Sequence, residues 1–191
     1  MYSTTLQNES PPMDETQLVR EALTDANAFA QLYRRNVTRV YRYHMAHTGD
    51  TKDAEDLTSQ TFMAALEGLA SFRGDAPFTA WLMGIASRKR ALFFRGRRLE
   101  LPLEAATDIP APGLLTEQLV GRRIQLETIV RALNQIHPDR AEAVVLFYFS
   151  GLGHAESARV LGKTEAAVKM LVSRGLQDLR ERTSLALEVE Q

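Results

Sequence analysis

Apolar residues recur three or four positions apart along almost the whole chain, and this spacing constrains the fold more than any other feature. The clearest run is Phe29, Leu32, Tyr33, Val37, Val40, Tyr41 and His44. Residues at this spacing lie on one face of an α-helix, whereas a half-buried strand alternates apolar and polar positions. No stretch sustains that alternation, and the sequence therefore predicts an all-α fold.

The first half of the chain is predicted to contain four helices after a loose tail. Their expected spans are about residues 14–23, 28–48, 52–68 and 77–95. Asp14 is expected to cap the first helix, and Pro77 suits the first turn of the fourth, where its missing N–H costs nothing. The core side of the fourth helix is predicted to consist of Phe78, Trp81, Leu82, Ile85 and Leu92.

A change of composition separates this half from the next. Residues 100–117, ELPLEAATDIPAPGLLTE, hold three prolines, one glycine and four acidic residues without a basic one, which predicts a linker. We interpret its acidity as incidental, with repulsion or mimicry of nucleic acid as the alternatives. The predicted division is a tail over residues 1–13, a helical domain over 14–99, the linker over 100–118, a second helical domain over 119–184, and a tail over 185–191.

Residues 72–98, FRGDAPFTAWLMGIASRKRALFFRGRR, carry seven basic residues and one acidic residue in a chain whose net charge is −1. Basic side chains bind phosphates with release of counterions, and aromatic faces can stack on bases that have left the duplex. The aromatic residues here are Phe72, Phe78, Trp81, Phe93 and Phe94. The segment therefore indicates a strand-opening nucleic-acid surface, with an amphipathic helix that has a solvated basic face as the alternative.

The second half contains a pattern typical of a helix-turn-helix. Helices are predicted over about residues 119–134, 138–149, 154–161 and 165–183. Ala158 permits close approach of two helices, and Gly162 permits the tight turn between them. The last helix would present its early residues to a DNA groove, namely Lys163, Thr164, Glu165, Ala166, Lys169, Met170, Ser173 and Arg174. A two-helix hairpin within a helical core is the alternative.

Taken together, the two halves resemble the extracytoplasmic-function (ECF) sigma factors of bacterial RNA polymerase over about residues 14–182. Three stretches carry the similarity: residues 53–62, DAEDLTSQTF; residues 72–86, FRGDAPFTAWLMGIA; and residues 151–174. The resemblance implies an initiation subunit that docks on core polymerase, captures a flipped nontemplate base of the minus-ten element, and reads the minus-thirty-five element. It also implies an anti-sigma factor as a further partner.

The resemblance assigns residues to each of these roles. For docking on polymerase it implies Asp53, Asp56, Gln60 and Met63. For the minus-ten element it implies a base pocket of Gly68, Phe72 and Arg88. The basic residues Arg73, Lys89, Arg90 and Arg95 are predicted to contact phosphates. For the minus-thirty-five element it implies Lys169 and Arg174. The helix-turn-helix pattern adds Lys163, Thr164, Glu165, Met170 and Ser173 to the same predicted surface. The chain departs from common family residues at Ser59 and Gln60, at Arg88, and at Met170 and Leu171.

Several classes of function are not expected. The chain has no cysteine, so it can form neither disulfides nor thiolate metal sites. His44 and His47 lack further ligands, and no catalytic grouping occurs; we therefore expect no metal, no cofactor, no small-molecule substrate and no enzymatic activity. Without a signal or membrane-spanning segment, a cytoplasmic location is expected. The alternatives are a stand-alone helix-turn-helix repressor or activator of duplex DNA, and an interaction protein that does not support initiation.

Overall fold

A computed structural model of the chain describes residues 15–100 and 117–189, and the surroundings of side chains over residues 15–97 and 126–182. In chain order the helices are α1 Glu15–Ala22, α2 Ala26–Thr48, α3 Thr51–Gly68, α4 Phe78–Glu100, α5 Glu117–Gln135, α6 Pro138–Val144, α7 His154–Leu161 and α8 Glu165–Val189. A 3-10 turn, Leu69–Ser71, follows α3, and a π-turn, Val145–Phe149, continues α6. No strand occurs within these residues, and the all-α prediction is confirmed.

Most helix boundaries lie within a few residues of the predicted ones. The exceptions are α4, which continues to Glu100 rather than about Arg95, and α8, which continues to Val189, within the tail predicted over residues 185–191. The Asp14 cap, the tail over residues 1–13 and residues 101–116 of the linker predicted over 100–118 lie outside the described residues, and the remaining residues of that linker belong to α4 and α5. Below, the first half means residues 15–100 and the second half residues 117–189.

Local capping explains why α2 and α3 are separate helices. The side chain of Asp25 accepts a hydrogen bond from the Asn27 N–H at 2.8 Å and begins α2. Gly49 ends it in the left-handed region at φ 67°, where its N–H reaches the Met45 carbonyl. Asp50 then accepts from the Asp53 N–H at 2.8 Å and begins α3. Caps of this kind satisfy backbone groups that a helix end would otherwise leave unpaired.

The core of the first half differs from the predicted stripes at two positions. Tyr33 is 41% exposed, and the buried face of α2 runs through Ala28, Asn36 and Tyr43 as well as Leu32 and Val40. Leu92, predicted to be in the core, is 51% exposed, and that prediction is wrong. The buried side of α4 passes through Met83. Leu92, nine positions later, lies half a turn away around the helix and therefore faces away from that side.

In the second half, α6 and α8 approach closely at Gly175. A β-carbon added to Gly175 would lie 2.7 Å from Val144 Cγ2 and 3.1 Å from the Arg140 carbonyl oxygen. The predicted turn after α7 is confirmed, because Gly162 adopts a left-handed φ of 61° and its N–H points to the carbonyls of Ala158 and Arg159. Gly162 therefore sets the turn between α7 and α8, and Gly175 sets the approach of α8 to α6.

The two halves share one apolar core. Residues of α5, α6 and the following segment belong to the same buried cluster as residues of α1, α2, α3 and α4. From the second half this cluster includes Leu133, Ile136, Val144, Leu146 and Leu152. The halves are therefore packed against each other.

A buried histidine lies between α2 and α3. Thr61 Oγ1 donates to the Leu57 carbonyl at 2.7 Å and lies 3.0 Å from His44 Nε2. Because the hydroxyl proton is already used, His44 Nε2 must carry a proton and donate to Thr61. The site therefore suits a neutral imidazole that is protonated at Nε2.

Replacing Gly175 with alanine should destabilise the protein by about 1–3 kcal/mol, because the added methyl group collides with Val144 and the backbone of Arg140. The matched control is Gly96→Ala in α4, where an added β-carbon meets nothing within 4 Å. That change should leave stability unchanged or raise it by up to about 1 kcal/mol, because alanine is the better helix former. Urea unfolding of both variants measures the difference, and equal effects would contradict the close approach.

The buried histidine should make stability depend on pH. Burial lowers the pKa of His44 to about 3, and the charges of His47 and Arg90 add to this effect against the opposing Glu142. In the unfolded chain the same group titrates with a pKa near 6.5. The contribution of neutral His44 to the free energy of unfolding is therefore complete above about pH 6.5. It is lost as the pH falls toward 3, by at most about 1.4 kcal/mol per pH unit.

His44→Gln keeps a donor for Thr61 but does not titrate. Between pH 7 and pH 4 its free energy of unfolding should fall less steeply than that of the unmodified protein, as measured by urea unfolding. Parallel curves would show that His44 does not titrate differently on folding.

Candidate functional site

The predicted docking residues form a stripe on the outer face of α3. Asp56 and Gln60 are exposed, and Met63 is 62% exposed. Asp53 begins the same stripe, but its carboxylate is held by Arg97 of α4 at 2.8 Å. Leu66, which was not predicted, continues this face at 53% exposure; its position three residues after Met63 was the available signal. The stripe is thus acidic at one end and apolar at the other.

The predicted minus-ten residues surround an aromatic cluster at the start of α4. The ring centroid of Phe72 lies 5.4 Å from that of Trp81 and 5.9 Å from that of Phe78. Phe78 is 1% exposed and belongs to the core, whereas Phe72 and Trp81 are half-buried. Gly68 lies beside the Trp81 indole, so the loop after α3 and the first turns of α4 form one surface.

The predicted basic residues of α4 do not share one environment. Arg88 is exposed, donates from Nε to the Gly84 carbonyl at 3.2 Å, and lines a groove with Trp81. Arg73, on the loop, and Arg95 are exposed, and Lys89 is half-buried. Arg90 differs because it is turned inward to Glu142 of α6. Arg88 is therefore the basic residue that the structure brings to the aromatic cluster, and Arg90 is not available on that surface.

The predicted upstream residues lie at the start of α8. Thr164 caps the helix, its hydroxyl oxygen accepting from the Ala167 N–H at 3.2 Å. Lys163 pairs with Asp139 at 3.0 Å, and Lys169 pairs with Glu165 at 2.8 Å. The latter hydrogen bond, with the charge of Lys169, lowers the pKa of Glu165.

Further along α8, Met170 is 52% exposed, and Ser173 and Arg174 are exposed. Lys163, Met170 and Arg174 line one shallow groove beside Ala167 and Leu171. The early part of α8 therefore presents a continuous face, on which two of the cations already have acidic neighbours.

One cluster was not predicted. Glu142 of α6 is 5% exposed, and its carboxylate lies among four side chains of α2 and α4. Tyr43 donates to Oε1 at 2.6 Å and Ser87 donates to Oε1 at 3.0 Å. His47 Nε2 lies 3.0 Å and Arg90 Nη2 lies 3.2 Å from Oε2. Since these partners are distant in sequence, no local pattern signalled the cluster.

The cluster holds its groups in defined protonation states. Burial by itself would raise the pKa of Glu142, but hydrogen bonding to His47, the positive charge of Arg90 and the Tyr43 hydroxyl lower it to about 2. Burial and the charge of Glu142 raise the pKa of Tyr43, which stays a donor. Burial lowers the pKa of His47, against the opposing effect of Glu142. Glu142 is therefore an ionised carboxylate in a buried site.

Comparison with known proteins agrees with this arrangement. The family description "Sigma-70 region 2" matches residues 32–99, and "Sigma-70, region 4" matches residues 126–179. The ECF RNA polymerase sigma factor BldN of Streptomyces coelicolor is 34% identical over 158 residues, which cover 81% of this chain and 60% of BldN. The sigma factor NccH of Alcaligenes xylosoxydans xylosoxydans is 30% identical over 174 residues, covering 86% of this chain and 91% of NccH.

Solved structures show the same fold. CnrH, determined in complex with the cytosolic domain of CnrY, superposes with a TM-score of 0.71 at 25% identity and covers 93% of this chain and 99% of its own. RpoE from Bartonella quintana, determined with the anti-sigma factor NepR, gives a TM-score of 0.64 at 23% identity, covering 83% of this chain and 98% of its own.

Helical regions with these matches define a sigma factor of RNA polymerase. Within that class the chain belongs to the sigma-70 family and is of the extracytoplasmic-function type, as the sequence predicted. Within residues 15–100 and 117–189, no helix is long and apolar enough to cross a membrane. In the same part of the chain, no three His, Asp or Glu side chains are grouped to hold a metal ion.

Proposed function

We propose that this sigma factor directs core RNA polymerase to a two-part promoter and helps to melt it. The observation that carries the proposal is the combination, in one chain, of an exposed acidic stripe on α3, a basic and aromatic surface on α4, and a helix-turn-helix formed by α7 and α8. A duplex-binding repressor needs the last of these but not the first two. The proposed division is residues 14–99 for docking and melting and residues 119–184 for upstream recognition.

Docking is assigned to the α3 stripe. Asp56 and Gln60 present oxygen atoms to solvent, and Met63 adds an apolar contact beside them. A surface that combines charge with an exposed apolar residue suits a basic helical partner that also buries some apolar area. Asp53 would contribute by exchanging its contact with Arg97 for one with polymerase.

Melting is assigned to the aromatic cluster and Arg88. A base that leaves the duplex loses a few kcal/mol of stacking and pairing, and stacking on an aromatic face offsets part of that loss. Phe72 and Trp81 are half-buried at the surface, where one ring face can meet a base. Arg88 lies along the same groove and can bind the adjoining phosphate or the exposed base edge.

Upstream recognition is assigned to the early residues of α8, where Lys169 and Arg174 would contact bases or phosphates. RNA synthesis itself would belong to polymerase, and we assign no catalytic residue, cofactor or small-molecule substrate to this chain. Its place of action would be the cytoplasm, where polymerase and promoters are found. The solved complex of CnrH with the cytosolic domain of CnrY supports a second protein partner, which we propose to be an anti-sigma factor.

The docking assignment predicts that Asp56→Arg weakens binding to core polymerase by at least about tenfold, because it places a cation against a basic partner. The matched control is Glu55→Arg, an equal change of charge at the preceding exposed position, which points away from the stripe. Both variants should keep their melting temperature, since exposed substitutions usually change stability by about ±0.5 kcal/mol. Fluorescence anisotropy with labelled sigma measures the affinity, and equal affinities for the two variants would overturn the assignment.

The melting assignment predicts that Arg88→Ala lowers run-off transcription on a duplex promoter but much less on a template with a premelted bubble, where unpairing is already done. Permanganate reactivity of unpaired thymines should fall in parallel on the duplex. Arg34→Ala, at an exposed arginine of α2, is the control and should have no effect on either template. Equal losses on duplex and bubble would show that Arg88 acts at another step.

A further inference from the structure

All four side chains around the Glu142 carboxylate come from the other half of the molecule. Tyr43 and His47 belong to α2, and Ser87 and Arg90 belong to α4. Two groups lie against each carboxylate oxygen, which is the number that an ionised carboxylate can accommodate well. A buried charge is tolerated only where its partners are in place, so this contact specifies how the two halves meet.

A second polar contact joins the halves at the proposed melting surface. Arg159 of α7 donates from Nη1 to the Asp75 carbonyl oxygen at 2.8 Å. Asp75 belongs to the loop between the 3-10 turn and α4, which also carries Phe72. Arg159 and Val160 line the same groove as Arg88 and Trp81. The first helix of the helix-turn-helix therefore takes up part of the surface that would meet a nontemplate strand.

The packed arrangement is also too small for a two-part promoter. Elements near positions −10 and −35 are about 25 base pairs apart, or roughly 85 Å at 3.4 Å per base pair. A compact chain of this length has a radius of gyration of about 16 Å and hence a diameter of roughly 40 Å. The aromatic cluster and the early residues of α8 cannot contact both elements until the halves separate.

We propose that Glu142 is a latch that holds the free sigma factor in a closed form, and that docking on core polymerase opens it. This inference rests on the proposed function, because it concerns access to the same promoter-binding surfaces. Glu142 also occupies Arg90, which the sequence predicted to contact a DNA phosphate, so the carboxylate competes directly with that phosphate. Promoter DNA alone would bind the closed form weakly.

Opening would expose apolar residues that the halves now bury together. Leu133 and Leu146 are 2% and 0% exposed in the closed form. A partner that covers such surface stabilises the open form, whereas solvent does not. The apparent affinity for promoter DNA falls in proportion to the fraction of molecules that are open. If about 99% of the molecules are closed, promoter binding is weakened about 100-fold.

The first test compares Glu142→Gln with Asp178→Asn. E142Q removes the negative charge and leaves the half-buried Arg90 guanidinium without its counter-ion, which should open the latch. D178N is the matched control, since Asp178 pairs with Arg140 within the second half at 2.7 Å. Small-angle X-ray scattering of the free proteins should give equal radii of gyration for the unmodified chain and D178N, and a radius larger by about 4 Å or more for E142Q.

E142Q should also bind a promoter fragment without polymerase at least about tenfold more tightly than D178N. Circular dichroism must show the same helix content for both variants, which separates opening from unfolding. Equal radii of gyration for E142Q and the unmodified chain would overturn the latch, whatever their activity in transcription. If E142Q expands but neither it nor the unmodified chain supports transcription, the result would support the latch and overturn the proposed function.

The second test locks the closed form and does not depend on how E142Q folds. The chain has no cysteine, so Asp75→Cys with Arg159→Cys can be joined by a cleavable, disulfide-containing bismaleimide. The joined protein should lose run-off transcription on a duplex promoter, and cleavage with a thiol should restore it. Full activity of the joined protein would show that the halves need not separate, and would overturn the proposal.

Discussion

The buried carboxylate of Glu142 decides how the helices of the two halves come together. An ionised carboxylate out of water is unfavourable by several kcal/mol unless donors and a positive charge surround it. Tyr43, Ser87, His47 and Arg90 supply that surrounding from two helices of the first half. The same contacts turn Arg90 inward and bury His47, so the charge distribution over α4 depends on them. Apolar packing is not directional, whereas the two hydroxyl donors and the cation Arg90 favour the position of α6 that brings Glu142 to them.

Each proposed functional surface depends on a simple structural feature elsewhere in its half. The Asp25, Gly49 and Asp50 caps fix where α2 ends and α3 begins, and so fix which face of α3 is exposed. The absence of a side chain at Gly175 lets α8 lie against α6, and this places the early part of α8 at the surface. The residues that end helices or allow helices to pack closely thus also determine where the proposed functional surfaces lie. The proposed functional residues themselves are largely exposed.

Features set by nearby residues could be predicted from the sequence, and features set by distant ones could not. Helix ends followed from capping residues and glycines, which act within a few positions. The burial of Leu92 was predicted wrongly because an apolar stripe does not show which side of a helix packs against its neighbours. Glu142 was missed because its donors are about 50 to 100 positions away, and an acidic residue in a helix ordinarily indicates a solvent-exposed face. The family resemblance identified the class correctly but contained no information on this contact.

Run-off transcription with purified core polymerase on a library of genomic fragments tests the central claim, that this sigma factor selects two-part promoters and helps to open them. The predicted result is a set of transcripts, dependent on the added chain, whose start sites share two sequence elements at a constant separation upstream. A lack of such transcripts, with tight duplex binding by the chain in the absence of polymerase, would contradict the account and favour a stand-alone regulator.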